Sequence, residues 1–296
     1  MKLQTEFDLR GGAIESVVIE PGRASDGATS RQFVRRGAGT LRIADLGYFS
    51  PAVFAAMALA GELFLSRLST VVHVFDAAGA KLDLLATLAA ADGIVCDRPV
   101  QVGAAERLCC RLIAWRMPPE VAARRRQKLI ARTRDKKGRT PSRERLAWCD
   151  WTVLVTNVEA DRLTPAEAAV LYRARWQIEL LFKRWKSQGL VAQLHGATAT
   201  QQLVRVWARL LAALVQHWLL LGAAWGDPAA SLSKVCQALR TFAVRVARLL
   251  PRFDELVGEF EHLRRVLAAT CRRDKRRQPG TFELLNHPRR LNYGLT

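Results

Sequence analysis

Residues 41–68 place three elements in quick succession: a strand-like run "LRIADLG", a helix-like "SPAVFAAMALAG" and a second strand-like run, "LFLSRL". Ser50 is suited to cap the helix, with Pro51 at its first position, where a missing N–H costs nothing. Two apolar strands joined through an apolar helix need a sheet with a helix packed on it, so the chain is held to a mixed α/β layering. Two further strand-like runs, "LQTEFDL" and "AIESVVIEPG", come before it, and "WTVLVTNV" at 151–158 is a continuous apolar run of the kind buried on both faces.

A helix is signalled directly after that last run. Thr164 reads as its N-cap, Pro165 as its first residue and Glu167 as the third, which together make a capping box. Beyond residue 197 the pattern is helical, with apolar residues recurring at three and four spacing in "TQQLVRVWARLLAALVQHWLLL", "SLSKVCQALRTFAVRVARLL" and "FDELVGEFEHLRRVLAA". The most apolar run, residues 210–225, is short and holds Gln216 and His217, so we read it as a buried core helix and expect no membrane partner.

Charge narrows the function. The 296 residues carry 46 Lys and Arg against 27 Asp and Glu, a net charge of +19, which makes a polyanion the first partner to consider and double-stranded DNA the leading one. The excess is concentrated. Residues 111–145 hold 13 basic residues against 3 acids, and 264–290 hold nine against two. The first stretch lies within residues 76–150, where short hairpin-like pieces break the earlier rhythm and suggest an inserted subdomain with a cationic face. "RRRQKLIARTRDKKGR" at 124–139 is there, and Arg124, Arg125, Arg126 and Lys128 are its phosphate-contact candidates, although charge runs of this kind are commonly just solvated. Six cysteines without a paired CxxC spacing, and five scattered histidines, give no disulfide framework and no zinc signature. They read as a reduced, cytoplasmic chain.

The stretch "YRARWQIELLFKRWK", residues 172–186, carries Tyr172, Arg175, Glu179 and Lys186 on one narrow stripe of a helical wheel, with Val170, Leu171, Ile178, Leu181, Phe182 and Trp185 on another side. By geometry alone the commoner reading is a solvated stripe with Arg175 and Glu179 as an ordinary i,i+4 pair. The tryptophans at helical spacing, Trp176, Trp185, Trp207 and Trp218, read by default as core.

These four residues match, spacing for spacing, the Y-(2)-R-(3)-E-(6)-K signature of the IS4-type DDE transposases, and the chain resembles that family over roughly residues 1–225. The 41–68 segment resembles the part around the family's second catalytic Asp, which points to Asp45. The resemblance implies an RNase H-like catalytic core with a mostly β insertion and a helical C-terminal region. Taken with the composition, residues 1–75 and 151–196 would form the core, 76–150 the basic insertion, 197–270 the helical region and 271–296 a basic tail, the charge excess at 264–290 facing nucleic acid.

What the resemblance implies chemically is Mg²⁺-dependent (or Mn²⁺-dependent) DNA strand cleavage and transfer by an insertion-sequence transposase acting as a homodimer in the bacterial cytoplasm at the nucleoid. Two-metal phosphoryl transfer needs converging carboxylates, and hard oxygen donors suit these ions. Asp45 and Glu179 would be metal ligands and catalytic residues; Tyr172, Arg175 and Lys186 would hold the DNA end, and Trp115 or Trp148 would stack on a flipped base. The family's first Asp precedes the run matched to "KLQTEFDL", so the expectation is an N-terminally truncated core with its first strand and first Asp missing, and impaired cleavage. Asp8 and Asp26 are the only acids of that type before Asp45. A non-catalytic DNA-binding or inhibitory fragment is the alternative.

Overall fold

The computed structural model describes residues 2–187, 198–225, 227, 229–249, 251–273 and 281–287. In chain order the elements are β1 (Lys2–Phe7), β2 (Ile14–Glu20), β3 (Leu41–Ala44), α1 (Pro51–Leu59), β4 (Leu63–Arg67), β5 (Val74–Phe75), α2 (Leu84–Ala90), β6 (Val95–Val102), β7 (Leu108–Arg116), α3 (Pro119–Lys137), α4 (Arg143–Ala147) and β8 (Trp151–Thr156). Helices follow: α5 (Pro165–Ala174), α6 (Trp176–Ser187), α7 (Ala199–Ala224), α8 (Leu232–Leu249), α9 (Phe253–Thr270) and α10 (Thr281–Asn286). They divide into two compact units, one made of Arg23–Arg175 with the segment from Leu284, the other of Met1–Gly22 with Trp176–Glu283.

The first unit is built on a six-stranded mixed sheet in the order β3-β4-β8-β7-β6-β5, where β3 and β4 are parallel and every other pair antiparallel. Side chains alternate across a strand, so consecutive buried residues mean that both faces are covered. Phe64, Leu112 and Val153 enter one core with Phe54 and Met57 of α1 and Leu88 of α2. Their neighbours Leu65, Ile113 and Leu154 enter the other with Val121 and Ala122 of α3 and Ala168 of α5. This is why "WTVLVTNV" is apolar throughout. The Phe54 and Phe64 rings stack at 4.6 Å, and each such large side chain removed from water contributes about 1.5–3 kcal/mol.

The strands of residues 95–116 therefore extend the sheet that carries β3, β4 and β8, rather than folding apart from it. The region read as a mostly β insertion also holds a 19-residue helix, α3, closed by Gly138 at φ 61. A left-handed C-terminal residue of this kind suits glycine, which has no Cβ to clash.

Two local signals are realised as read. Ser50 accepts the N–H of Val53 with Pro51 inside the helix start, and Thr164 and Glu167 form the reciprocal capping box. Asn157 locks β4 to β8 beyond their paired register: its Oδ1 accepts the Phe64 N–H at 2.8 Å and its Nδ2 donates to the Glu62 carbonyl at 2.9 Å.

The second unit joins the β1–β2 hairpin, a separate two-stranded sheet, to α6–α9. Leu3, Phe7, Ile14, Val17 and Ile19 pack against Leu181 and Trp185 of α6 and Val206, Leu210 and Ala213 of α7. A two-stranded ribbon is marginal in water and needs such a cover. Its turn is set by Asp8, whose carboxylate accepts the N–H groups of Arg10 and Gly11, and by Gly12 at φ 76, where a Cβ would come within 2.3 Å of the Trp225 ring.

Helix α7 departs from the expected buried core helix. Leu210, Ala213, His217 and Leu220 are buried, but Val204, Trp207, Leu211, Val215 and Trp218 are exposed, Trp218 to 61%. Trp176 is exposed as well, so of the helically spaced tryptophans Trp185 is the one in the core. Among the described residues the helix packs one face, and three-and-four spacing does not reveal which apolar face finds a partner. Residues Ala199–Gly222 are long and apolar enough to cross a membrane, with mean hydropathy 1.3 and 28% of the window buried. His195 and much of the expected basic tail lie outside the described residues.

Candidate active site

Asp45 follows directly on β3, an edge strand of the six-stranded sheet, and β4 runs parallel beside it. The backbone there is extended (φ −75, ψ 164), and the carboxylate closes a short 3-10 turn, Leu46–Tyr48, by accepting the Leu46 N–H through Oδ1 at 2.8 Å. That bond orients the side chain and leaves Oδ2 for a second partner. The partner is Arg175, whose Nη1 lies 3.4 Å away, with the Asp45 side chain 49% exposed and that of Arg175 20%.

Arg175 sits between two helical segments rather than inside one helix. Its N–H donates to the Tyr172 carbonyl, three residues back, and α5 ends at Ala174 while α6 begins at Trp176. No Pro or Gly causes the break; the chain tightens by one three-residue hydrogen bond. The guanidinium lies 5.7 Å from the centre of the Tyr172 ring, within cation–π range. Burial, and after it the Asp45 carboxylate, push the Tyr172 phenol above its ordinary value, against the pull of Arg175 and Arg67. The phenol, protonated at neutral pH in any case, stays so, and its oxygen accepts from Arg175. Asp45, Tyr172 and Arg175 form one electrostatic group in the first unit.

Arg67 belongs beside this group and was missed in the sequence. Leu63–Ser66 pairs residue for residue with Leu41–Ala44, so the parallel register runs on to Arg67 beside Asp45. The available signal was a lone cation closing a strand with three consecutive buried residues.

Asp26 is brought to the same neighbourhood: a Cβ on Gly47 would lie 3.1 Å from its Oδ2. Asp8, in contrast, is in the second unit and is a turn former. Glu179, half-buried, and Lys186, exposed, lie on α6 and so belong to the second unit.

In the basic stretch the four candidates separate. Arg125 turns inward and donates from Nη1 to the Trp151 carbonyl at 3.2 Å and to Thr152 Oγ1 at 3.0 Å; burial, and then the repulsion of Arg67, lower its pKa. Arg126 is paired with Asp150. Arg124 and Lys128 face outward. Trp115 is buried in the core and closed to base stacking, while Trp148 is half-buried.

Asp45 suits a hard divalent cation as one oxygen donor, being exposed, oriented and at a strand end. Among the described residues no group of three His, Cys, Asp or Glu is placed to hold a metal ion.

Residues 1–215 match a family model described as the transposase DDE domain. The chain belongs to the DDE-domain transposases. Its relatives include the transposase for insertion sequence element IS231D of Bacillus thuringiensis subsp. finitimus, 26% identical over 72% of this chain and 48% of that protein. The transposase for IS1151 of Clostridium perfringens is 24% identical over 73% of this chain and 49% of its own length, and that for IS421 of Escherichia coli is 32% identical over 59% and 49%. The chain spans about half the length of the curated relatives it matches.

Proposed function

We propose that this DDE-domain chain carries the cleavage and strand-transfer chemistry of an insertion-sequence transposase of the IS4 type, on an RNase H-like core and with double-stranded DNA as substrate. The observation that carries the reading is the Asp45–Arg175–Tyr172 group: a carboxylate at a strand end, beside a planar cation and a half-buried phenol. Asp45 and Glu179 are the proposed ligands of Mg²⁺ or Mn²⁺. The bound metal pair would activate the attacking oxygen and stabilise the leaving one. Arg175 takes a DNA phosphate in a bidentate grip that Lys cannot reproduce, Lys186 adds a point charge, and the protonated Tyr172 hydroxyl donates to the same strand. The proposed working unit is a homodimer on paired DNA ends, in the bacterial cytoplasm at the nucleoid.

The reading is tested by cleavage of a DNA fragment carrying the element's ends, with Mg²⁺ or Mn²⁺, by the protein and by Asp45→Asn and Glu179→Gln. Loss of cutting in both variants with retained DNA binding supports it; two variants that cut like the parent overturn it.

A second reading, a non-catalytic DNA-binding or inhibitory fragment, rests on the net charge of +19, which favours a polyanion without requiring any chemistry. It predicts that co-expression lowers transposition by an intact copy. No effect at molar excess counts against it.

A further inference from the structure

Helix α3 carries Arg124, Lys128, Arg132 and Lys136 at successive i,i+4 positions, and all four are exposed. Residues four apart on a helix are surface neighbours, so the four cations form one continuous row, about 18 Å long at roughly 1.5 Å per residue and winding about 120° around the helix. Like charges at this spacing destabilise a helix. Among the described residues none of Lys128, Arg132 and Lys136 has a carboxylate partner, and Arg124 only donates to the Glu120 carbonyl of its own helix.

The helix does not lack means of neutralising a cation. Arg126 is paired with Asp150, and Arg125 is spent on Trp151 and Thr152. Among the described residues the row, like Arg134 beside it, is left without a carboxylate partner. Val121 and Ala122 bury the inner side of the first turn and Thr133 is buried further along, while all four cations of the row stay exposed.

We propose that this row is a docking surface for the phosphate backbone of double-stranded DNA, apart from the Asp45 group, with Arg124, Lys128, Arg132 and Lys136 making the contacts and Arg125 and Arg126 serving the fold. The choice of DNA rests on the reading under Proposed function. An anionic membrane is the less fitting polyanion: a helix lying in a bilayer surface needs an apolar face of large side chains, and among the exposed large apolar residues α3 contributes only Ile130. Duplex DNA presents one charge per about 1.7 Å of axis, so a row of this length passes more phosphates than its four cations need. The contacts carry affinity and salt dependence without reading sequence.

The test is fluorescence anisotropy of the full chain with a labelled duplex of arbitrary sequence, without divalent metal, over a range of NaCl concentrations. Each phosphate contact adds about 0.9 to the slope of log affinity against log salt. The fourfold variant R124Q/K128Q/R132Q/K136Q is expected to lose roughly three to four of that slope, by the same relation. R124K/R132K keeps it, and K81Q/R162Q, which removes exposed cations elsewhere in the same unit, changes it by less than about one. A fourfold variant that melts like the parent and keeps the parental slope overturns the proposal. So does one that loses binding to phosphatidylserine vesicles while keeping its slope on DNA. Because no cleavage is measured, a failed assay of Asp45 and Glu179 leaves this result standing, and the reverse also holds.

Discussion

The guanidinium of Arg175 lies 3.4 Å from the carboxylate of Asp45, joining the end of β3 to the residue between α5 and α6. Both side chains are partly exposed, so the pair adds little to stability, about 0–1 kcal/mol. Its value is positional. Arg175→Ala is expected to leave the melting temperature nearly unchanged while lowering single-turnover DNA cleavage by about 10²-fold, the usual cost of removing one donor from a reacting site. Arg175→Lys should rescue little of that loss, because an ammonium lacks the planar fork. Full activity of the Lys variant would show that charge alone suffices.

Asp45→Asn is expected to weaken Mn²⁺ binding, read by the paramagnetic resonance signal of the free ion, by about tenfold or more, since even the loss of an outer partner of a ligand costs about 10–100-fold. Thermal unfolding should shift by no more than about 0.5 kcal/mol, since the amide oxygen still accepts the Leu46 N–H. Unchanged Mn²⁺ binding would remove Asp45 from the proposed ligands.

Gly12→Ala meets two costs at once. The residue has φ 76, and the added Cβ would come within 2.3 Å of Trp225. Strain and overpacking together should cost about 2 kcal/mol or more, read from the urea midpoint followed by tryptophan fluorescence. A midpoint equal to that of the parent would mean the hairpin turn gives way freely.

His217 is buried, with Nε2 2.6 Å from the Gly12 carbonyl, and burial lowers its pKa despite that bond. Between its folded value and the unfolded value of about 6.5, the unfolded chain binds the proton and the folded chain does not. Stability is therefore full above about pH 6.5 and falls as pH drops below it. Urea midpoints taken at falling pH should show this decline in the parent and a shallower one in His217→Gln. Equal declines would assign the effect to other groups.

Arg125 and Arg124 should part company on stability. Arg125→Ala leaves the Trp151 carbonyl and Thr152 hydroxyl without a half-buried donor and should cost about 1–3 kcal/mol. Arg124→Ala, on the exposed row, should stay within about 0.5 kcal/mol. Equal thermal shifts would contradict the inward orientation of Arg125.

Local chemistry was legible in the sequence. The caps at Ser50 and Thr164, the doubly buried strand at 151–156 and the helical spacing beyond 197 all depend on near neighbours in the chain, and each appears where the residues put it. The DDE-transposase family, too, was legible: the resemblance read over roughly residues 1–225 agrees with the match to the transposase DDE domain over residues 1–215.

Only tertiary structure decided the rest. It paired Ala44 with Ser66 and so set Arg67 beside Asp45, joined β6 and β7 to the main sheet, turned Arg125 inward while leaving Arg124 out, and exposed Trp207 and Trp218 but buried Trp185. Periodicity says that a side chain lies on a given face of its own element. Which faces meet is settled by how all the apolar surfaces can be covered at once, and that condition belongs to the whole fold.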